Sequence, residues 1–161
     1  MGGRNILPMK ELGTLLEQKG YKNVQTYIQS GNVVFQSNQK PGDDIGSSIE
    51  QRFGFKPEVI ILSDHDFYEA KENNPYKSAD WKSSHFYFCK SSPESVDSEK
   101  LERLKAGSEK YAIKGNVLYL YAPNGIGRSK LAASIEKCMG VPVTARNLNT
   151  VNKLSEMAKS R

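Results

Sequence analysis

One stretch of this sequence occurs twice, at a constant spacing of 84 residues. Residues 27–35 read Tyr-Ile-Gln-Ser-Gly-Asn-Val-Val-Phe, and residues 111–119 read Tyr-Ala-Ile-Lys-Gly-Asn-Val-Leu-Tyr. A looser correspondence pairs Gly54 with Gly140, each of which precedes a short segment that contains proline. A period this long indicates duplication of one supersecondary unit. The chain is therefore predicted to contain two related units.

Hydrophobic periodicity predicts a similar order of elements in both units. In the first unit it predicts a helix over residues 8–19, a hairpin over 24–28 and 33–35, a helix over 43–53 and a strand over 59–62. In the second unit it predicts a strand over 85–89, a helix around 101–104, a hairpin over 109–113 and 116–121, a helix around 131–138, a strand over 143–146 and a terminal helix over 151–158.

The order strand, helix, strand, strand, helix, strand in the second unit is the ferredoxin-like arrangement. We therefore predict an α+β protein of two tandem ferredoxin-like (βαββαβ) subdomains, of which the first lacks its opening strand. The predicted boundaries are a first subdomain over 1–63, a helical linker over 64–82, and a second subdomain with a C-terminal helix over 83–161.

Four motifs in a fixed order, at residues 2–5, 27–33, 121–131 and 144–151, give the chain a resemblance to a bacterial family catalogued as domain of unknown function 1697 (DUF1697). The resemblance spans nearly the whole chain. It implies a tandem pair of ferredoxin-like subdomains, and it implies no activity because the family has none assigned.

The chain departs from this family at its amino terminus. Family members normally begin with a hydrophobic strand and an arginine-containing turn before the Gly-Gly, whereas here Met1 stands where valine is usual. The resemblance therefore implies that a GTG valine codon was taken as the start, and that the natural product is longer by one strand and its turn. Mass analysis of the protein from its native cell tests this expectation.

Charge and cysteine content narrow the class of protein. Lys and Arg total 23 against 18 Asp and Glu, and the net charge of +5 is compatible with phosphate-bearing partners. The longest unbroken apolar runs are four residues, such as 59–62, so no membrane contact is expected. Two cysteines, Cys89 and Cys138, are too few for a disulfide framework, and with no apolar signal-like start they predict a cytoplasmic protein.

The strongest candidate site is a glycine-rich segment that follows a predicted strand and opens a predicted helix. Its glycines allow backbone amides to turn inward, and the helix start adds partial positive charge that favours phosphate or carboxylate. The segment is neither a Walker loop nor a dinucleotide fingerprint. The competing interpretation, a simple turn followed by a serine helix cap, is favoured because short glycine motifs often occur by chance. The candidate anion-binding residues are Asn124, Gly125, Gly127, Arg128, Ser129 and Lys130.

A second candidate lies where the last predicted strand passes into the terminal helix. Helix starts present unpaired amides, and Arg146 beside them could hold an anion together with Asn147. The preferred interpretation makes Asn147 or Asn149 the helix cap and Arg146 a surface residue of the strand, because asparagine is a leading cap residue.

The second predicted sheet could instead bind single-stranded RNA by stacking bases on aromatic side chains. Tyr119 and Tyr121 share one face of a strand, and Tyr87 on the neighbouring strand is a third candidate for stacking. However, the position at which RNA-recognition modules carry an aromatic residue is Asn116 here. Burial of these rings is the favoured interpretation, since exposed aromatic patches are uncommon in soluble monomers.

Residues typical of catalysis are few. His85 and Cys89 lie about 13 Å apart along one predicted strand, too far for a thiolate pair. The two histidines and two cysteines have no metal-ligand spacing, so neither a metal nor a cofactor is expected.

The sequence is compatible with three classes of function. The favoured one is a binding module for a phosphate-bearing ligand, either a nucleotide or nucleic acid, through the glycine-rich basic segment. The alternatives are an enzyme that acts on a small anionic substrate with the same residues as binders, and a protein-interaction module without a ligand.

Overall fold

The computed structural model describes residues 7–27 and 31–159 of the chain. Within them it is α+β, with six helices and two antiparallel sheets. The chain divides into two compact units, one of residues 1–64 with 153–161 and one of residues 65–152. None of the helices in the described ranges combines the length and the hydrophobicity that crossing a bilayer requires.

The first unit packs two helices on a hairpin. Its elements are α1 (Met9–Gln18), β1 (Lys22–Tyr27), β2 (Asn32–Gln36) and α2 (Asp44–Phe53), and β1 pairs with β2 in antiparallel fashion. The helices are amphipathic, and their apolar faces form the core of the unit. The buried side chains of this core include Leu12, Leu16, Ile45 and Ile49.

The strand predicted over residues 59–62 is wrong, because the structure has no strand there. Val59 and Ile61 nevertheless pack against the helical core as partly buried side chains. The apolar pattern correctly indicated burial, but a strand also needs a neighbouring backbone to pair with, and no described strand pairs with this segment.

The second unit is built around a four-stranded sheet. Its elements are α3 (Asp64–Glu72), β3 (Ser84–Cys89), α4 (Ser98–Leu104), β4 (Lys110–Lys114), β5 (Val117–Tyr121), α5 (Lys130–Met139) and β6 (Val143–Asn147), after which α6 (Leu148–Lys159) begins. The strand order is β4-β5-β3-β6, and all neighbours are antiparallel. The predicted elements of this unit are present with boundaries shifted by a few residues.

Helices cover both faces of this sheet. On one, which we term the α5 face, Tyr87, Leu118 and Leu120 share a core with apolar residues of α4 and α5. On the opposite, α3 face, the rings of Phe67 and Phe88 stack at 5.6 Å between centroids. The segment predicted to be a helical linker therefore contributes α3 as a cover for the sheet.

The repeat in the sequence is only partly a repeat in the backbone. Gly54 and Gly140 both end a helix with a positive φ, 84° and 74°, which glycine adopts without steric cost. The hairpins differ, because Tyr27 pairs with Asn32 across four residues whereas Lys114 pairs with Val117 across two. Residues that correspond in the sequence repeat therefore have different partners in the two hairpins: Tyr27 pairs with Asn32, whereas Tyr111 pairs with Leu120.

Candidate functional site

The topology of the second unit brings two helix starts to one end of its sheet. Strands β5 and β6 are both antiparallel to β3, so they run in the same direction and end beside the start of β3. Helix α5 follows β5 through residues 122–129, which we term the α5 loop, and α6 follows β6 directly. Both candidate segments of the sequence therefore lie at this end of the sheet.

The α5 loop consists of two consecutive turns. The Gly125 amide donates to the Ala122 carbonyl at 3.0 Å, and the Ser129 amide donates to the Ile126 carbonyl at 3.2 Å. Gly125 has a φ of 85°, a conformation that side-chain-bearing residues rarely adopt. The Asn124 side-chain amide reaches the Ser108 hydroxyl at 3.4 Å, which ties the tip of the loop to the segment before β4.

The start of α5 keeps two backbone donors that the helix itself does not use. The Ser129 hydroxyl accepts from the Ala132 amide at 3.0 Å, and the Ser129 carbonyl accepts from the Ala133 amide. The first amides of a helix have no partner within it, and those of Lys130 and Leu131 find no acceptor elsewhere in the described parts of the chain. Ser129 thus caps the helix, as the interpretation of this segment as a turn followed by a serine cap predicted. The cap still leaves the amides of Lys130 and Leu131 available as donors.

Cationic side chains flank these donors. Arg128 and Lys130 are exposed, and neither forms a salt bridge with a carboxylate in the described ranges. The first turn of α5 holds no acidic residue, and neither does that of α6. The first turns of α1, α2 and α4 contain Glu11, Asp44 and Glu99, respectively. The positive ends of α5 and α6 therefore lack the acidic neighbour that three other helices possess.

The start of α6 is capped by Asn147. Its side-chain carbonyl accepts from the Thr150 amide at 2.8 Å, the geometry of a helix cap. Of the two asparagines that the sequence left open, Asn147 fills this position and the exposed Asn149 does not.

Arg146 forms side-chain hydrogen bonds within its own strand. Its position opposite Phe86 places it on the α3 face, because side chains alternate along a strand. One terminal nitrogen of the guanidinium donates to the Thr144 hydroxyl at 2.7 Å and to the Ala145 carbonyl at 2.8 Å. Burial lowers the pKa of Arg146 from its usual value. These contacts give the side chain a structural role in its own strand.

The three candidate stacking tyrosines do not form one exposed surface. Phe86, not Tyr87, lies opposite Tyr119, so Tyr87 is on the other face of the sheet. Tyr119 is 1% exposed and Tyr87 is 5% exposed. The Tyr119 hydroxyl donates to the Ala70 carbonyl at 2.6 Å, and the Tyr121 ring lies 5.8 Å from that of Tyr76. The segment that covers the α3 face thus occupies the place that a stacked base would take.

His85 is a residue of this end of the sheet that the sequence analysis considered only with Cys89. It lies opposite Leu120 on β5 and opposite Asn147 on β6, on the α5 face. It is 8% exposed, and its Nδ1 is buried without a hydrogen-bond partner in the described structure. Burial lowers the pKa of His85, more than the Ser83 backbone raises it. His85 and Tyr87 are two residues apart on one strand, so their side chains lie on the same face of the sheet. This spacing was the signal in the sequence that could have placed His85 on a buried face.

Other titratable groups of this unit do not form a reactive cluster. The Cys89 thiol is buried, and burial raises its pKa, which opposes formation of a nucleophilic thiolate. Within residues 7–27 and 31–159, no three His, Cys, Asp or Glu side chains lie together as a metal site requires. What the arrangement offers is a set of hydrogen-bond donors and positive charge at the start of α5.

Comparison with known proteins places the chain in a family. A family model described as "Protein of unknown function (DUF1697)" matches residues 1–119, a range that ends before the α5 loop. A search of the curated proteins found no match. Among solved structures, a conserved bacterial protein from Streptococcus pneumoniae is similar, with 25% identity and a TM-score of 0.66. The similarity covers 98% of this chain and 92% of that one.

Proposed function

The chain belongs to the DUF1697 family of proteins of unknown function, and we propose from the geometry of its second unit that it binds a small phosphate-bearing ligand at the start of α5. Arg128 and Lys130 supply the charge, and the amides of Lys130 and Leu131 supply directed donors. Gly125 gives the loop its turn, and Ser129 caps the helix without taking part in recognition. The resemblance of the sequence to the family contributes no activity to this proposal.

The observation that carries the proposal is the uncompensated positive end of α5. A helix start bears roughly half a positive charge, and it is stabilised by an anion placed against its amides. Helices α1, α2 and α4 carry an acidic residue in the first turn, whereas the first turn of α5 holds a lysine and follows an arginine. A ligand phosphate would supply the negative charge that the sequence omits.

The burial of the aromatic rings favours a small ligand over a nucleic acid strand. Sequence-tolerant RNA binding relies on exposed aromatic faces, and Tyr119 and Tyr87 are buried on opposite faces of the sheet. A nucleotide or a phosphate ester needs only the donors at one helix start. No part of this proposal requires Arg146.

We propose a ferredoxin-like origin for both units as the finer account of the fold, with residues 64–82 between them. The element order of the second unit and the shared glycine caps of α2 and α5 support it. The different hairpin pairings count against a strict repeat. Superposition of the two units in an experimental structure tests it. We expect α1 to overlie α4 and α2 to overlie α5.

Calorimetric titration with inorganic phosphate and with AMP, at low ionic strength, tests the binding proposal. We expect binding that the double variant Arg128→Ala/Lys130→Ala weakens at least tenfold, as the loss of two charge-assisted contacts implies. The matched control is Arg103→Ala/Lys110→Ala, which removes the same charge from exposed positions on α4 and β4. Equal weakening by both pairs, or no binding of either ligand, would overturn the proposal.

A further inference from the structure

The four-stranded sheet of the second unit has two outer edges, β4 and β6, whose backbone groups differ in their hydrogen-bond partners. Along a strand, successive residues direct their N–H and C=O groups to alternate sides. The Ala122 amide donates to the Ser83 carbonyl and the Cys89 amide donates to the Asn116 carbonyl, both at 2.8 Å. These bonds fix which residues of β3 and β5 face each other. They therefore also fix which residues of β4 face away from the sheet.

On β6, side chains already occupy two of the outward backbone groups. The Val143 amide donates to Glu136 Oε2 on α5 at 3.0 Å. The Ala145 carbonyl, two residues on and hence on the same edge, accepts from the Arg146 guanidinium at 2.8 Å. Contacts of this kind hinder pairing with a further strand, because a ready-made donor and a ready-made acceptor of the edge are taken.

On β4, the outward backbone groups belong to Tyr111 and Ile113. Lys110, Ala112 and Lys114 lie opposite the β5 residues that face β4, so their groups pair within the sheet and those of the alternate residues point away. In the described parts of the chain, none of the four outward N–H and C=O groups forms a hydrogen bond. The edge of β4 is therefore open to an additional strand, which is how many extended peptides bind to a sheet.

The two faces of this edge have different chemistry. Lys110 and Lys114 are exposed, project toward the α3 face, and form no salt bridge within the described residues. The Lys114 ammonium donates to the Asn73 carbonyl at 2.8 Å, and two of its three N–H donors remain. Tyr111 and Ile113 project toward the α5 face and are partly buried against its core. The edge thus combines cations on one face with apolar surface on the other.

The acidic side chains near this edge have contacts of their own within the second unit. Glu109, directly before β4, is buried and accepts from the Ala106 amide at 2.9 Å. Burial, followed by a hydrogen bond with Glu102 of α4, raises the pKa of Tyr111 to about 12. Both carboxylates belong to the side of the α5 face, because Glu109 and Tyr111 are two residues apart. They therefore do not neutralise the lysines on the α3 face.

We propose that the open edge of β4 binds an extended acidic segment of a partner protein as a fifth strand of this sheet. An antiparallel strand places alternate side chains beside Lys110 and Lys114 on one face, and beside Tyr111 and Ile113 on the other. The segment that fits has the pattern acidic, apolar, any, apolar, acidic. This surface does not include the α5 loop, so the inference stands independently of the proposed function.

A second copy of this chain matches the edge less well than an acidic segment does. Antiparallel pairing of two β4 strands over their full length, centred on Ala112, would place Lys110 of one copy directly opposite Lys114 of the other. Like charges that are directly opposed across a strand pair are destabilising. Lysines on an edge strand commonly prevent such self-association. An acidic strand turns the same two charges into attractive contacts.

Fluorescence anisotropy with the labelled peptide Thr-Glu-Val-Thr-Val-Glu-Thr tests the charge requirement on the full-length protein. We expect binding that Lys110→Glu/Lys114→Glu weakens about tenfold or more. The same peptide with lysine in place of each glutamate should bind this variant and not the wild-type protein, which also shows that the variant is folded. The matched control is Lys90→Glu/Lys137→Glu, which reverses two exposed charges outside β4 and should bind the acidic peptide as the wild type does.

Backbone pairing is tested separately from charge. Methylation of both valine amides of the acidic peptide removes the donors for the Tyr111 and Ile113 carbonyls, and we expect it to weaken binding about tenfold. The unmodified peptide should slow hydrogen exchange of the Tyr111 and Ile113 amides. Failure of the acidic peptide to bind, or equal binding of the methylated peptide, would overturn the proposal. A wild-type dimer in sedimentation, with these two amides already protected, would assign the edge to a second copy and overturn it as well.

Discussion

His85 illustrates how a single residue links folding to pH in this protein. In the folded chain burial lowers its pKa below the ordinary value of 6.5, so the unfolded state binds more protons just below that pH. The resulting stability is complete above about pH 6.5 and is lost as the pH falls toward the lowered pKa. The contribution of His85 to the stability of the folded protein is therefore smallest under acidic conditions.

We predict that the free energy of unfolding of the wild-type chain decreases as the pH falls from 7 to 5. The part of this decrease that is due to His85 is no more than about 1.4 kcal/mol per pH unit. Urea denaturation at several pH values measures it. His85→Gln should flatten the profile over this interval, and His65→Gln should leave the slope intact. A slope that persists in His85→Gln would assign the proton uptake to another group.

The Tyr119 hydroxyl forms a buried hydrogen bond between the sheet and α3. Tyr119→Phe removes the donor for the Ala70 carbonyl while it keeps the ring, so we expect a loss of about 1–2 kcal/mol of stability. Tyr121→Phe is the control, since Tyr121 is half-buried and contacts Tyr76 through its ring. Chemical denaturation of the two variants compares them. Equal losses would contradict the anchoring role of Tyr119.

Residue-level prediction from the sequence failed for Tyr87 in an instructive way. Alternation correctly divided β3 into two faces, but alternation alone does not say which face of one strand matches which face of its neighbour. That assignment depends on register, and the register places Phe86 opposite Tyr119. Arg146 was likewise assigned to the surface from local pattern, whereas its side chain folds back along β6.

At the scale of elements, the capped starts of α5 and α6 are the features that local sequence predicted best. Ser129 and Asn147 each accept from the amide three residues on, as the preferred interpretations required. Cap residues act through neighbouring backbone atoms, so their identity is readable without knowledge of the tertiary fold.

We predict that Ser129→Ala and Asn147→Ala each cost about 1 kcal/mol of stability, whereas Asn149→Ala costs little. Thermal or chemical denaturation measures these effects in the intact chain. The comparison of Asn147→Ala with Asn149→Ala is direct, because both positions carry the same substitution and lie two residues apart. A larger effect at Asn149 would place the start of α6 elsewhere.

The segment at residues 59–62 shows where element prediction reaches its limit. Its apolar pattern is typical of a buried strand, and Val59 and Ile61 do pack on the core of the first unit. A strand is defined by pairing with a distant part of the chain, and periodicity within four residues holds no information on such a partner. Helices, whose hydrogen bonds are local, were predicted more reliably here.

At the scale of the whole molecule, the order of elements and the α+β class followed from the sequence, and the strand pairing did not. The repeat of 84 residues identified equivalent segments, yet the two hairpins close with different registers. Loop length decides the register of a hairpin, and two sequences of similar composition can close differently. The sequence predicted the α5 loop as a site, but its place at the same end of the sheet as the start of α6 depends on the pairing of β3 with β5 and β6.

The central claim is that a phosphate binds at the start of α5, and amide NMR of the full-length chain titrated with inorganic phosphate tests it most directly. The account predicts that the largest shifts occur at the Lys130 and Leu131 amides and in the α5 loop. It also predicts that Arg128→Ala/Lys130→Ala abolishes these shifts. Small shifts spread over exposed lysines throughout the chain, or shifts centred on the capped start of α6, would contradict it.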